Sequence, residues 1–206
     1  MISADFLIDN ADLIATCAGP APRAGRAQGD IAPVTQGSIA SLDGRIVFVG
    51  REEDCRHDVS LRPHATVLDG RGRTIVPGFV DSHTHLVFAG DRRDELGRRL
   101  AGATYAEIAA SGGGIVRTVA ATREASEAAL AEAARPRLAA MLAHGTTTAE
   151  VKSGYGLDLE SELKTLRVIR RLAGEQAMTL AATFAGSIRP STAIAATPAW
   201  TLSPTR

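Results

Sequence analysis

Apolar positions along this chain follow two different patterns, and the change falls near residue 75. Before it, apolar runs are short and are separated by Asp, Gly and Pro, which is typical of strands joined by turns. The runs are Phe6–Ile8, Leu13–Ala15, Ser38–Ala40, Arg45–Val49, Val67–Leu68 and Thr74–Val76. Asp43-Gly44 between two of them predicts a hairpin, because both residues tolerate positive φ. Residues 1–75 are therefore predicted to form a small β domain.

After residue 75 the pattern predicts strands that alternate with helices. Buried strands are predicted over 75–80, 146–151 and 178–184, and helices over 126–144 and 158–174. The first helix should end at Gly145 and should kink or split at Pro136. Thr104 and Glu107 form a capping box that opens a further short helix. This order of strands and helices indicates parallel βαβ units.

Each of the two long helices has an apolar stripe that is predicted to be buried. The stripes are Leu130, Ala134, Leu138, Met141 and Leu142 on the first helix, and Leu159, Leu163, Leu166 and Ile169 on the second.

Composition and charge disfavour several kinds of partner. Of the 206 residues 45% are apolar, and 23 basic side chains balance 23 acidic ones. A neutral chain lacks the basic excess typical of nucleic-acid binding, and no apolar run approaches the roughly 18 residues of a membrane span. The first ten residues are unlike a secretory signal, since they carry acidic but no basic side chains. Cys17 and Cys55 have no metal-ligand spacing, and free thiols fit the cytoplasmic location that we expect.

The first candidate for chemistry is His83-Thr84-His85, which follows the predicted strand. Alternate side chains of a strand share a face, so Asp81, His83 and His85 are predicted to project together. Two neutral imidazoles on one face can ligate a divalent metal such as zinc or iron. A bare His-x-His pair is also typical of incidental polar residues at a strand end, and the pair alone leaves this open.

Two further segments carry candidate binding residues. Arg92 is predicted in a loop above the histidines, where a guanidinium can clamp a carboxylate. Tyr155 lies between Gly154 and Gly156 at the end of the next strand, and the glycines permit a tight turn that presents its hydroxyl to a pocket. From the residues alone, a solvated charge cluster and an ordinary strand-to-helix loop stay open for these two segments.

Taken together, these segments resemble the imidazolonepropionase family of the amidohydrolase superfamily. The resemblance extends over about residues 5–186, and it is carried by residues 77–92, 102–105, 112–115 and 150–158. It implies an α/β fold, namely the N-terminal part of a (β/α)₈ TIM barrel that is preceded by a small β-sandwich segment. By this resemblance residues 1–75 belong to the sandwich, 76–186 are the first βα units of an incomplete barrel, and 187–206 are an aberrant, disordered tail.

The resemblance also implies a reaction and a site. Members of the family are metal-dependent hydrolases that act on carbon–nitrogen bonds in cyclic amides. They open the ring of 4-imidazolone-5-propanoate to give N-formimidoyl-L-glutamate in histidine degradation, with one zinc or iron ion, and they tend to form homodimers. By resemblance, His83 and His85 are metal ligands, and Arg92, Tyr155 and Tyr105 bind the small-molecule substrate.

The resemblance stops after Gly186. Where the family continues with Ala-His-Ala-x-Pro, this chain has Ser187-Ile188-Arg189-Pro190, and the family's other metal ligands and proton-transfer residues come from later strands. We therefore expect an inactive fragment, truncated or frameshifted after about residue 186, whose catalytic residues are not assigned. The alternatives are another amidohydrolase, such as a cyclic-amide hydrolase or a deaminase, and a non-catalytic degenerate product.

Overall fold

The computed structural model of this mixed α/β chain describes residues 1–185. The prediction of a disordered tail over 187–206 lies outside the described residues. The chain divides into two compact units, Met1–Pro77 and a second unit that begins at Gly78. No helix among residues 1–185 is long and apolar enough to cross a membrane.

The first unit is built on one mixed sheet of five strands. These are β1 (Ile2–Ala15), β2 (Pro33–Leu42), β3 (Arg45–Arg51), β4 (Val59–Asp69) and β5 (Thr74–Ile75), with helix α1 (Glu52–Asp58) before β4. The strand order is β3-β2-β1-β4, and β5 also pairs with β1. Strand β1 is antiparallel to β2 and parallel to β4 and β5. The unit therefore has β1 at its centre.

In this unit some predictions from local sequence agree with the structure and others do not. The predicted hairpin is confirmed, because Asp43 and Gly44 join β2 to β3 with φ angles of 49° and 75°. The predicted separate runs Phe6–Ile8 and Leu13–Ala15 are instead parts of one strand, β1, with a bulge between them where Asn10 has a φ of 59°. Helix α1 has no apolar period, since Cys55 is its one buried residue, and the hydrophobic pattern does not predict it.

The second unit has a parallel sheet of three strands with helices in the connections. Strands β6 (Phe79–Thr84), β7 (Thr146–Lys152) and β8 (Thr179–Thr183) pair in that order. Between β6 and β7 the chain forms α2 (Arg93–Leu100), α3 (Tyr105–Ala110), α4 (Ile115–Glu124) and α5 (Glu127–Ala143), and α6 (Leu159–Ala173) precedes β8. Buried apolar residues of α5, α6 and β7 form one core cluster. The predicted parallel βαβ arrangement is confirmed.

The strand predicted over 75–80 is wrong, because the structure has two strands there. Strand β5 pairs with β1 in the first unit, whereas β6 pairs with β7 in the second. Pro77 lies between them and cannot donate a ladder hydrogen bond. Strand β6 ends at Thr84, so His83 lies within it and His85 comes directly after it.

Helix α5 has nearly the predicted bounds, but Pro136 does not split it. The proline removes the hydrogen bond to the carbonyl of Glu132. Both residues are exposed, so solvent can take the place of the missing donor. The predicted stripe is right for Leu130 and Leu138, which are buried, and wrong for Leu142, which is 42% exposed.

Helix α6 buries a face that agrees only in part with the predicted stripe. Ile169 is buried and Leu166 packs against the core, as predicted. Leu159 and Leu163 are 53% and 42% exposed. Six residues of the helix are buried, and three of them are polar or charged: Ser161, Glu162, Thr165, Val168, Ile169 and Leu172. A stripe of apolar residues cannot identify this face, because half of its buried residues are polar or charged.

The core of the second unit should depend strongly on Leu130. Its side chain is fully buried in the cluster formed by α5, α6 and β7. We expect Leu130→Ala to lower the free energy of unfolding by about 2 to 5 kcal/mol, measured by urea denaturation with far-UV circular dichroism. Leu142→Ala on the same helix is the matched control, with an expected loss below about 1 kcal/mol. Equal losses in the two variants would contradict this account of the core.

Candidate active site

The two histidines of the predicted metal site lie together at the carboxyl end of β6. The ring centroids of His83 and His85 are 5.6 Å apart, and the ring planes are inclined at 62°. Oδ1 of Asp81 accepts the backbone N–H of His83 at 3.2 Å. The pairing of β6 with β7 is irregular between Asp81 and Thr84, so the chain leaves the regular strand where the histidines stand.

His85 is the more enclosed of the two histidines. Its Nδ1 is buried and has no hydrogen-bond partner within residues 1–185. Burial lowers the pKa of His85, and the neighbouring His83 lowers it further. A neutral imidazole with an unpartnered ring nitrogen is suited to a divalent metal. The described part of the chain has no cluster of three or more His, Cys, Asp or Glu side chains for a metal, so an ion held by this pair needs further ligands from elsewhere.

A polar network links β7 and β8 beside the histidines. Ala149 and Val151 belong to the core, so the alternating residues Glu150 and Lys152 point to the other face of the sheet. One carboxylate oxygen of Glu150 accepts from Nζ of Lys152 at 2.6 Å and from the hydroxyl of Thr183 at 2.7 Å. These two hydrogen bonds, that from Lys152 foremost, lower the pKa of Glu150. The carboxylate is therefore held ionised and in a fixed position.

Tyr155 lies against the histidine pair. Its ring centroid is 5.3 Å from that of His85 and 5.6 Å from that of Phe88. The turn around it requires glycine on both sides. Gly154 has a φ of 132°, and a Cβ on Gly156 would stand 2.7 Å from the backbone nitrogen of Glu162. The tight turn predicted from these glycines is present.

Helices α6 and α4 hold this turn in place. The buried carboxylate of Glu162 accepts the N–H groups of Gly156 and Leu157 through Oε1, each at 2.8 Å. Nε of Arg123 donates to the carbonyl of Gly156 at 2.6 Å and lies 2.9 Å from a carboxylate oxygen of Asp158. The backbone that carries Tyr155 is thus fixed from two directions.

Arg92 and Tyr155 line a common cleft of about 640 Å³. Arg92 lies in the loop between β6 and α2, as predicted, and is the N-cap residue of α2. Arg93, Arg137 and Asp91 also line the cleft, so three guanidinium groups face a single carboxylate among its lining residues. Nε of Arg93 donates to the carboxylate of Asp91, and this bond lowers the pKa of Asp91. The cleft carries excess positive charge and suits an anionic group.

Tyr105 does not join this arrangement. It begins α3 after the predicted capping box, which is confirmed by hydrogen bonds in both directions between Thr104 and Glu107. Its side chain is 50% exposed, its hydroxyl lies beside Gly114, and it is not among the residues that line the cleft.

Sequence patterns do not single out Glu162, although its carboxylate shapes the site. An acidic residue near a helix N-terminus is expected on electrostatic grounds alone. Ser161, Thr165, Val168 and Leu172 nevertheless recur at helical spacing. If small polar residues are allowed on a buried face, this spacing identifies the side of α6 that carries Glu162.

The turn should loosen when the carboxylate of Glu162 is removed. In Glu162→Ala, one buried and one partly buried N–H group lose their acceptor, at a cost of about 1 to 3 kcal/mol. We therefore expect amide hydrogen exchange at Gly156 and Leu157 to become roughly tenfold faster or more. Glu162→Gln keeps one acceptor oxygen and should retain most of the protection. Glu160→Ala, in the exposed part of the same helical turn, is the matched control. Unchanged exchange in Glu162→Ala would contradict this role.

The fold matches those of known hydrolases. A triazine hydrolase from Arthrobacter aurescens superimposes with a TM-score of 0.55 at 19% identity, over 87% of this chain and 35% of that one. An atrazine chlorohydrolase from Arthrobacter aurescens TC1, complexed with zinc, gives a TM-score of 0.53 at 20% identity over the same shares. By fold, the chain is similar to about a third of each of these two enzymes.

Comparison of sequences finds relatives of higher identity. No protein-family model matches the chain. The imidazolonepropionase of Symbiobacterium thermophilum is 52% identical over 183 residues, which are 89% of this chain and 43% of that protein. Those of Xanthomonas oryzae pv. oryzae strain PXO99A and Chloroflexus aggregans are 51% and 46% identical over 78% and 87% of this chain, and 39% and 42% of their own length. Over most of its length the chain is thus homologous to imidazolonepropionases, and it spans about two fifths of these curated relatives.

Proposed function

We propose that this chain carries the histidine pair and the substrate cleft of an imidazolonepropionase, which hydrolyses 4-imidazolone-5-propanoate to N-formimidoyl-L-glutamate. One observation carries the proposal beyond homology. The ring of Tyr155 contacts His85, and the same residue lines the cationic cleft. A substrate with a carboxylate and a ring to be hydrolysed requires a cationic surface directly beside a metal site.

In this proposal His83 and His85 hold one divalent ion, zinc or iron. The unpartnered Nδ1 of His85 supports the assignment, as does the zinc in the atrazine chlorohydrolase structure. Such an ion supplies a bound water whose pKa falls to about 7. The guanidinium of Arg92 binds the propionate carboxylate, and the hydroxyl of Tyr155 orients the substrate between cleft and metal. Tyr105 is the weaker candidate, because it lies outside the cleft.

The fold supports a finer proposal for the architecture. Residues 76–186 form the first βα units of a (β/α)₈ barrel, and residues 1–75 belong to a small β-sandwich domain. Three parallel strands with helical connections and polar groups at their carboxyl ends match the plan of such a barrel, whose active site lies at that end. A homodimer and a cytoplasmic location, both expected from the sequence, stay predictions.

Two alternatives remain for the function. Another amidohydrolase, such as a deaminase, would share the fold and the histidine pair, but the identity of about 50% to imidazolonepropionases favours the main proposal. A non-catalytic product would keep the cleft and the histidines without turning over substrate.

Metal binding should depend on the histidine pair. We expect Co²⁺ titration of the purified chain, followed by visible absorption, to show affinities about tenfold or more weaker in His83→Ala and His85→Ala, because each loses one ligand. His144→Ala is the control, since this exposed residue caps α5 and hydrogen-bonds to the carbonyl of Ala140. Metal affinity that is unchanged in both site variants would refute the assignment.

Substrate binding should depend on Arg92. We consider a chimera in which the matched segment of this chain replaces the corresponding part of the Symbiobacterium thermophilum enzyme. This chimera should open the ring of imidazolone propionate. In that chimera Arg92→Met should lower kcat/KM about 10- to 100-fold, mainly through KM, because a charge-assisted bond to the carboxylate is lost. Arg99→Met, on the exposed side of α2, is the control. The chain alone, which supplies two of the proposed ligands, should show no turnover. An unchanged KM in Arg92→Met would refute the role of Arg92.

A further inference from the structure

Arg137 reaches from α5 to the segment that follows β6. Its Nη1 donates to the backbone carbonyls of Leu86 and Phe88 at 2.9 and 3.0 Å. Its Cζ lies 3.7 Å from the centroid of the Phe88 ring. One guanidinium therefore contacts both the backbone and the ring of Phe88, which restricts the rotation of that side chain.

The contact continues from Phe88 to the histidines. The rings of Phe88 and Tyr155 meet edge to face at 63°, and Tyr155 packs on His85, which in turn contacts His83. We call Phe88, Tyr155, His85 and His83 the aromatic row. Phe88 is the end of the row that lies farthest from the histidines, and Arg137 is the group that holds it.

The surroundings of Arg137 are unusual for a guanidinium. It is half-buried, and no carboxylate lies within ion-pair distance of it in the part of the chain that the structure describes. Burial lowers the pKa of Arg137, while Asp91 acts in the opposite direction. Two carbonyl oxygens and the face of one ring offset the cost of removing this cation from water. Each of these three contacts involves the short segment Leu86–Phe88.

We propose that Arg137 is a positioning residue for Tyr155, and that it acts through Phe88 to hold the tyrosine ring between the cleft and the histidine pair. The functional meaning of this placement rests on the substrate-binding role proposed for Tyr155. The effect of Arg137 on the position of the Tyr155 ring can be measured in the free chain, without metal or substrate.

The sequence provides a direct probe, since Tyr105 and Tyr155 are its 2 tyrosines. Ring-labelled [¹³C]tyrosine in the full chain should give two sets of NMR signals, with Tyr105 as an internal reference. We expect Arg137→Met to shift and broaden the signals of Tyr155 while those of Tyr105 stay in place. Phe88→Leu should shift the same signals. A variant with both substitutions should add little further change, because each one interrupts the same contacts from Arg137 through Phe88 to Tyr155.

The matched control is Arg135→Met, two residues earlier on α5. Arg135 pairs with Glu132 and Glu175 and does not line the cleft, so both tyrosines should keep their signals. Arg137→Lys covers the case in which Arg137→Met fails to fold. An ammonium keeps the charge but lacks the planar fork that bonds two carbonyls while it lies on a ring, so Tyr155 should still shift.

Three results would overturn the proposal. The first is a folded Arg137→Met or Arg137→Lys chain with unchanged Tyr155 signals, which is also the result expected if Arg137 only binds anions. The second is a pair of additive shifts from Arg137→Met and Phe88→Leu. The third is an equal displacement of Tyr105 and Tyr155, which is the sign of a general loss of structure. Failure of the proposed function would appear separately, in the histidine and Arg92 variants.

Discussion

The turn that carries Tyr155 depends on a carboxylate buried directly behind it. A carboxyl group removed from water is strongly destabilising unless hydrogen-bond donors satisfy it. Two backbone N–H groups of the turn serve as donors to Glu162, so the turn and the carboxylate stabilise each other. The close approach of α6 leaves no space for a side chain on Gly156. A turn held in this way is already ordered before any ligand binds, which lowers the cost of binding one.

The two faces of the parallel sheet have different roles, since one forms the core and the other carries polar side chains of the candidate site. On β7, Ala149 and Val151 belong to the core with α5 and α6, whereas Glu150 and Lys152 form a hydrogen-bonded pair on the opposite face. Because side chains alternate along a strand, one sequence of seven residues supplies both faces. The histidines lie at the same end of the sheet, His83 within the neighbouring strand β6 and His85 directly after it. The position of the site at this end of the sheet is therefore a consequence of parallel pairing.

Short-range signals made part of this structure predictable from sequence. The hairpin at Asp43-Gly44, the capping box at Thr104 and the His83–His85 pair each depend on residues within a few positions of one another. The split between β5 and β6 is not predictable in this way, because it reflects pairing with strands that are distant in sequence. Sequence motifs placed Arg92 and Tyr155 among the candidates. The side chains that hold the site, Glu162 and Arg137, lie outside these motifs and bond to backbone groups within them. A period of apolar residues contains no information about such bonds.

Two buried side-chain atoms in residues 1–185 lack a hydrogen-bond partner, and both lie at the candidate site. They are Nδ1 of His85 and Oε2 of Glu162. Buried polar groups in native proteins are nearly always satisfied, and each unsatisfied one costs about 1 to 3 kcal/mol. Elsewhere in the described residues, buried polar side chains such as Ser38, Glu95 and Thr165 have partners. The unsatisfied groups thus occur at the candidate site, and a ligand that supplies their missing partners would stabilise it. A region whose local stability depends on what it binds is also the region in which binding can be most specific, because a ligand that leaves these atoms unpaired gains no such stabilisation.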